Sequence, residues 1–101
     1  MKLNIWRLAL LLLIFSLAGC AGERAFREGK SLLAEGRTEE GLTQLETAVK
    51  EEPNNIEFRT QLYRQRQLHI QKLLTQGDNA RAAGRFSEAE SWYLQAMKFE
   101  D

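Results

Sequence analysis

The chain has 101 residues, with 14 basic and 14 acidic side chains and a formal charge of zero at neutral pH. That length holds one small domain at most, and so even a balance gives no field that would recruit a nucleic acid. A single cysteine, Cys20, excludes an intrachain disulfide, and with one histidine, His69, no zinc-ligand spacing exists.

The first twenty residues have the layout of a secretory signal. Lys2 and Arg7 make a basic start, Leu8 to Leu17 is an apolar run broken only by Ser16, and Leu17-Ala18-Gly19 narrows to small residues before Cys20. The run of ten residues is short of the roughly 20 that span a bilayer. Leu17-Ala18-Gly19-Cys20 also resembles the lipobox of bacterial lipoproteins. That resemblance implies a diacylglyceryl group on the Cys20 thiol, cleavage after residue 19, and a fatty acyl chain such as palmitate on the new amine. Each methylene buried in lipid contributes ~0.8 kcal/mol, and several chains on one residue anchor durably where one alone does not. Ala21 follows the cysteine, which in such lipoproteins implies export to the outer membrane, facing the periplasm. Removal of residues 1–19 takes two of the 14 basic residues and none of the 14 acidic ones, leaving an excess of two acids.

Beyond the cysteine the chain is rich in Ala, Leu, Glu, Gln, Arg and Lys, which favour helix, and no alternating β-branched stretch predicts a strand. Ala25, Phe26, Gly29, Leu32 and Leu33 recur at helical spacing until Gly36-Arg37-Thr38, where Thr38 is expected to cap the next helix. Leu42, Leu45, Ala48 and Val49 form a second stripe, ended by Pro53. Asn54 with Glu57 has the form of a capping box, opening a long helix from Ile56 to about Ala83. A last helix is expected after Ser87, with Glu90 completing its box and Ala89, Trp92, Tyr93, Ala96 and Met97 as its apolar stripe. The fold class expected is therefore all-α. The expected organisation is a signal peptide at 1–19, a lipidated N-terminus and linker at 20–24, and two helical hairpins at 25–101 joined by an extended helix.

The hairpins repeat. At one constant offset, Gly29 falls on Gly77, Ala34 on Ala82, Gly36-Arg37 on Gly84-Arg85, Glu40 on Glu88, Leu45 on Tyr93, Ala48 on Ala96 and Lys50 on Lys98. This plan resembles the tetratricopeptide repeat, a helix-turn-helix unit of about 34 residues. Gly29, Gly41 and Ala48 stand at the family's small positions in the first unit, and Gly77, Ala89 and Ala96 in the second. Gly29 and Gly41 each cost ~1 kcal/mol relative to alanine in a helix, which makes sense if a neighbouring side chain occupies the space. The spacing departs from the family by about 14 residues, or four helical turns, placed around "RTQLYRQRQLHI". Ala25 and Leu73 stand where the family's early tryptophan is expected.

No catalytic constellation is present: His69 lies between Leu68 and Ile70 on a helix, and the carboxylates have ordinary surface spacing. The reading is not an enzyme, without cofactors apart from the lipid on Cys20, and with no small-molecule substrate or nucleic acid as partner. In repeats of this family the first helices line a concave groove. Carried over by position, Phe26, Lys30 and Leu33 would face it from the first unit, and Leu74, Asp78 and Arg81 from the second. Trp92, Tyr93 and Met97 are expected to lack a covering helix, since repeat arrays usually hold about three units and a polar cap. A protein partner, or the remainder of a longer chain, would then complete the array. Lipobox, helical pairs and the wording "AGERAFREGKSLLAEGRTEEGL" together resemble the N-terminal region of outer-membrane secretins of type II secretion and type IV pilus systems. That resemblance implies a docking and assembly module in protein secretion. The alternative is a free-standing adaptor or pilot lipoprotein for envelope or pilus assembly.

Overall fold

A computed structural model describes the backbone of residues 2–100 and the side chains of residues 4–13 and 20–100. The protein is all-α: among the described residues there is no strand. The helices are α1 (Lys2–Ala34), α2 (Thr38–Glu51), α3 (Ile56–Ala82) and α4 (Phe86–Met97). The chain forms two compact units that divide within α3, Met1–Leu62 and Tyr63–Asp101. Among the described residues no helix is long and apolar enough to cross a membrane. The lipobox residues Leu17, Ala18 and Gly19 lie outside the described side chains.

In the first unit α1 and α2 form a hairpin whose turn is built by Gly36. Its φ of +84° is a left-handed conformation that only glycine adopts without steric cost. The Gly36 N–H bonds to the Leu33 carbonyl at 3.1 Å and the Arg37 N–H to the Leu32 carbonyl at 2.9 Å. This crossed pair ends α1 as a Schellman motif and satisfies carbonyls that the helix leaves free. The core holds Ala25, Phe26, Leu42, Leu45, Ala48, Phe58 and Leu62. The side chains of Phe58, Leu42 and Leu45 are almost wholly out of solvent, each such burial contributing about 1.5–3 kcal/mol. The start of α3 joins this core through Phe58, whose ring stacks on Phe26 with centroids 4.5 Å apart.

Glycine brings the two helices together. A β-carbon on Gly29 would stand 3.0 Å from the Gly41 carbonyl oxygen and 3.0 Å from Leu45 Cδ2, and one on Gly41 would stand 2.8 Å from Leu33 Cγ. The backbones thus meet at a glycine pair, with Leu33 and Leu45 laid over the gaps. The expected occupant of the space beside each glycine is therefore present.

The second unit repeats the turn. Gly84 has a φ of +79°, with the Gly84 N–H bonded to the Arg81 carbonyl at 3.0 Å and the Arg85 N–H to the Ala80 carbonyl at 2.9 Å. Ile70, Leu73 and Ala96 are the buried cluster, with Leu74, Trp92 and Phe99 packed against it. The His69 ring stands edge-on to Phe99, centroids 4.8 Å apart.

Helix starts differ from the sequence expectation. Arg37, not Thr38, precedes α2, because the Gly41 N–H already bonds to the Arg37 carbonyl at 2.9 Å; no side chain caps this end. In the second unit Ala89 N–H bonds likewise to the Arg85 carbonyl, so α4 begins at Phe86, ahead of Ser87. The residue that caps α3 is Asn55, not Asn54: its Oδ1 accepts from the Phe58 N–H at 3.2 Å. Residues 20–24, expected as a linker, belong to α1. Gly22 within them is buried, with the Glu52 carboxylate lying where its β-carbon would stand.

Candidate interaction surface

The expected site residues divide between core and surface. Cys20 is exposed on α1 with a free thiol. Phe26, expected to face a groove, is 3 % exposed and belongs to the core instead. The helical stripe that carries it is the one α3 covers, and Phe58 closes it. Lys30, one turn on, is exposed and sets its ammonium 5.1 Å from the centre of the Phe26 ring, a cation–π geometry that covers the ring's outer face. Leu33 is half-buried beside Gly41. Between α1 and α2, Glu28, Leu32, Arg37, Glu40, Thr43 and Gln44 line an open, polar groove of about 280 Å³. Arg37 pairs there with Glu40, whose carboxylate raises the guanidinium pKa above its already high ordinary value.

In the second unit three expected residues come together. The Tyr93 hydroxyl donates to Asp78 Oδ1 at 2.6 Å, and Arg81 Nη2 stands 3.9 Å from the same oxygen. The short bond to a carboxylate is of the charge-assisted kind. It raises the Tyr93 pKa above the ordinary tyrosine value; partial burial adds to the shift and the Arg81 charge opposes it. The ring of Tyr93 lies over Gly77, where a β-carbon would collide with it. The glycine at 77 thus lets the tyrosine reach across α3 to its aspartate.

The uncovered stripe on α4 is only partly the one expected. Trp92 and Tyr93 are half-buried, Trp92 and Leu74 against the same cluster. Met97 is 62 % exposed, and Leu94 and Phe86 are exposed as well. Leu94 was not signalled by the stripe at i, i+3, i+4 spacing, since it lies on the flank of that arc. Ile56, at the start of α3, is another exposed apolar residue that spacing left unmarked; it is 77 % exposed and lines a shallow hollow with Arg59 and Thr60. Among the described residues no group of three or more His, Cys, Asp or Glu side chains is placed to hold a metal ion.

The first unit thus carries an open polar groove, and the second a tyrosine–aspartate–arginine cluster and the exposed apolar side chains of Phe86, Leu94 and Met97. No protein-family model, curated protein or solved structure matches the chain.

Proposed function

We propose that this chain is a lipid-anchored, periplasm-facing scaffold for protein–protein contacts, built from two tetratricopeptide-like hairpins and tethered to the outer membrane through Cys20. Its place is the docking and assembly region of an outer-membrane secretin in protein secretion. The observation that carries the scaffold reading is the matched packing of the two hairpins. Leu45 over Gly29 and Tyr93 over Gly77 are the same large-on-small contact at corresponding positions of the repeat, each beside a Gly-Arg turn of positive φ. Repetition of one helix-turn-helix unit builds extended contact surfaces, not enclosed reaction sites.

The tether is supported by Leu17-Ala18-Gly19-Cys20 behind a basic start and an apolar run, and by the exposure of Cys20. Metabolic labelling with radioactive palmitate tests it: wild type is expected to take up label and Cys20→Ser to take up none. An antibody to residues 25–100 tests the place in secretion. A multimeric native product many times larger than the 11.6 kDa of the 101 residues is the secretin outcome. A product of about that size that co-purifies with one envelope protein is the outcome for the adaptor or pilot lipoprotein.

A further inference from the structure

We propose that the end of the first unit that carries Cys20 rests directly on the bilayer surface, with Ile56 entering the headgroup region beside Arg59. This deepens the anchor reading above and rests on it.

The folded body begins almost at the anchor. Gly22, two residues past Cys20, is already buried, and the Glu52 carboxylate at the C-terminal end of α2 covers it. Ala25 and Phe26 follow in the core. A lipid on Cys20 is therefore joined to packed helix with no slack, unlike a module on a flexible tether, whose reach grows with linker length.

The start of α3 lies at this same end. The chain reverses at Gly36 and again at residues 52–55, so α3 leaves in the sense of α1, and Phe58 stacks level with Phe26. Ile56, two residues before Phe58, is thus level with about residue 24 of α1, roughly 6 Å along the axis from Cys20. Ile56 is 77 % exposed, the most exposed large apolar side chain in the body of the unit. It lines a shallow hollow of about 230 Å³ with Arg59 and Thr60. An isoleucine next to a guanidinium suits the boundary between acyl chains and phosphates: the apolar side chain leaves water and the arginine meets lipid phosphate. Pro53 is exposed in the turn that precedes α3. The occupant is a lipid surface because the anchor on Cys20 holds one against this end.

The test uses the lipidated protein in vesicles of phosphatidylethanolamine and phosphatidylglycerol that carry a headgroup-level spin-labelled lipid. The Cys20 thiol is consumed by the lipid, so a dye attaches uniquely to an introduced cysteine, at Pro53→Cys near the proposed contact or at Glu35→Cys by the Gly36 turn. Quenching is expected to be roughly threefold stronger at 53 than at 35, because residues 20 and 35 are about 20 Å apart along α1. It is expected to fall when Ile56→Asp is added, a change that leaves the fold in place since an acid is favoured in a first helical turn. A short Gly-Ser insertion after Ala21 is expected to lower it as well. Equal, weak quenching at 53 and 35 in protein that is lipidated and vesicle-bound overturns the contact while leaving the anchor standing. Wild-type protein that takes up no lipid overturns both.

Discussion

The ring of Tyr93 occupies the space in which a β-carbon on Gly77 would stand. An alanine at 77 therefore carries two opposed effects. It gains about 1 kcal/mol of helix propensity, and it forces the ring aside at an overpacking cost of about 1–3 kcal/mol. Because the displaced ring also loses its bond to Asp78, the cost wins. Gly77→Ala is expected to lower unfolding stability by about 1 kcal/mol. In a Tyr93→Ala background the same change is expected to raise stability by up to about 1 kcal/mol. A double-mutant cycle by urea denaturation measures the reversal; parallel effects in the two backgrounds would show that the ring is not what the glycine accommodates.

Gly36 and Gly84 pose the opposite case. A β-carbon at either would meet nothing within 4 Å, so crowding plays no part. Their φ angles of +84° and +79° alone set a cost of about 1–2 kcal/mol per side chain. Gly36→Ala and Gly84→Ala are each expected to destabilise by that amount, and the asparagine variants by less, since asparagine tolerates this conformation better. Thermal unfolding of the four variants checks the ranking.

These glycines show where the fold was legible. Gly36-Arg37 and Gly84-Arg85 could be read as turns because few residues but glycine end a helix that way, and the alignment of the two hairpins followed from them. Helix starts were not legible in the same way. Thr38, Asn54 and Ser87 have the chemistry of caps, but the hydrogen bonds open α2 and α4 at Arg37 and Arg85 and cap α3 with Asn55. Neighbouring polar residues can cap in one another's place, so composition locates a helix start only to within a residue or two. At the surface, periodicity showed that Phe26 belongs to an apolar stripe. It could not show that Phe58, two helices further along the chain, would close over it, because that contact depends on how three helices pack. Asp78, Arg81 and Tyr93 were each marked by position in the repeat, yet their meeting on one oxygen depends on Gly77.

Asn55 gives a direct test of the corrected helix start. Its Oδ1 accepts from the Phe58 N–H, satisfying one of the donors left free at the head of α3. Asn55→Ala is expected to cost about 1 kcal/mol. Asn54→Ala, whose side chain is exposed, is expected to stay within about 0.5 kcal/mol of wild type. Equal effects, measured by chemical denaturation, would return the cap to Asn54.

Phe58 is the side chain on which the first unit's third helix depends. It is 1 % exposed and stacked on Phe26. Phe58→Ala removes that stack and leaves a cavity, at a cost of about 3–5 kcal/mol. Small domains hold only about 5–15 kcal/mol in total, so the variant is expected to melt broadly and to lose amide protection along residues 56–62 first. Tyr63→Ala, at an exposed position, is the control and is expected to keep the wild-type transition. Hydrogen exchange followed residue by residue distinguishes the two.

The bond from Tyr93 to Asp78 makes the second unit sensitive to alkaline pH. The phenol is neutral when protonated, and only then can it donate to the carboxylate. The folded protein therefore holds that proton more tightly than the unfolded chain, and the Tyr93 pKa lies above the ordinary value of about 10. The sign follows from linkage: a pKa raised by folding means stabilisation that is complete below the ordinary tyrosine range and is lost as pH climbs through the folded value. Asp78→Asn keeps the shape and removes the charge that holds the proton. In ultraviolet difference titration its Tyr93 midpoint is expected to move down towards that of a free tyrosine, and the alkaline fall in stability to shrink with it. Arg81→Gln acts in the other sense, because the Arg81 charge favours the phenolate: its Tyr93 midpoint is expected to move up. Shifts of the same sign in both variants would mean that the hydroxyl answers to general exposure and not to the carboxylate 2.6 Å away.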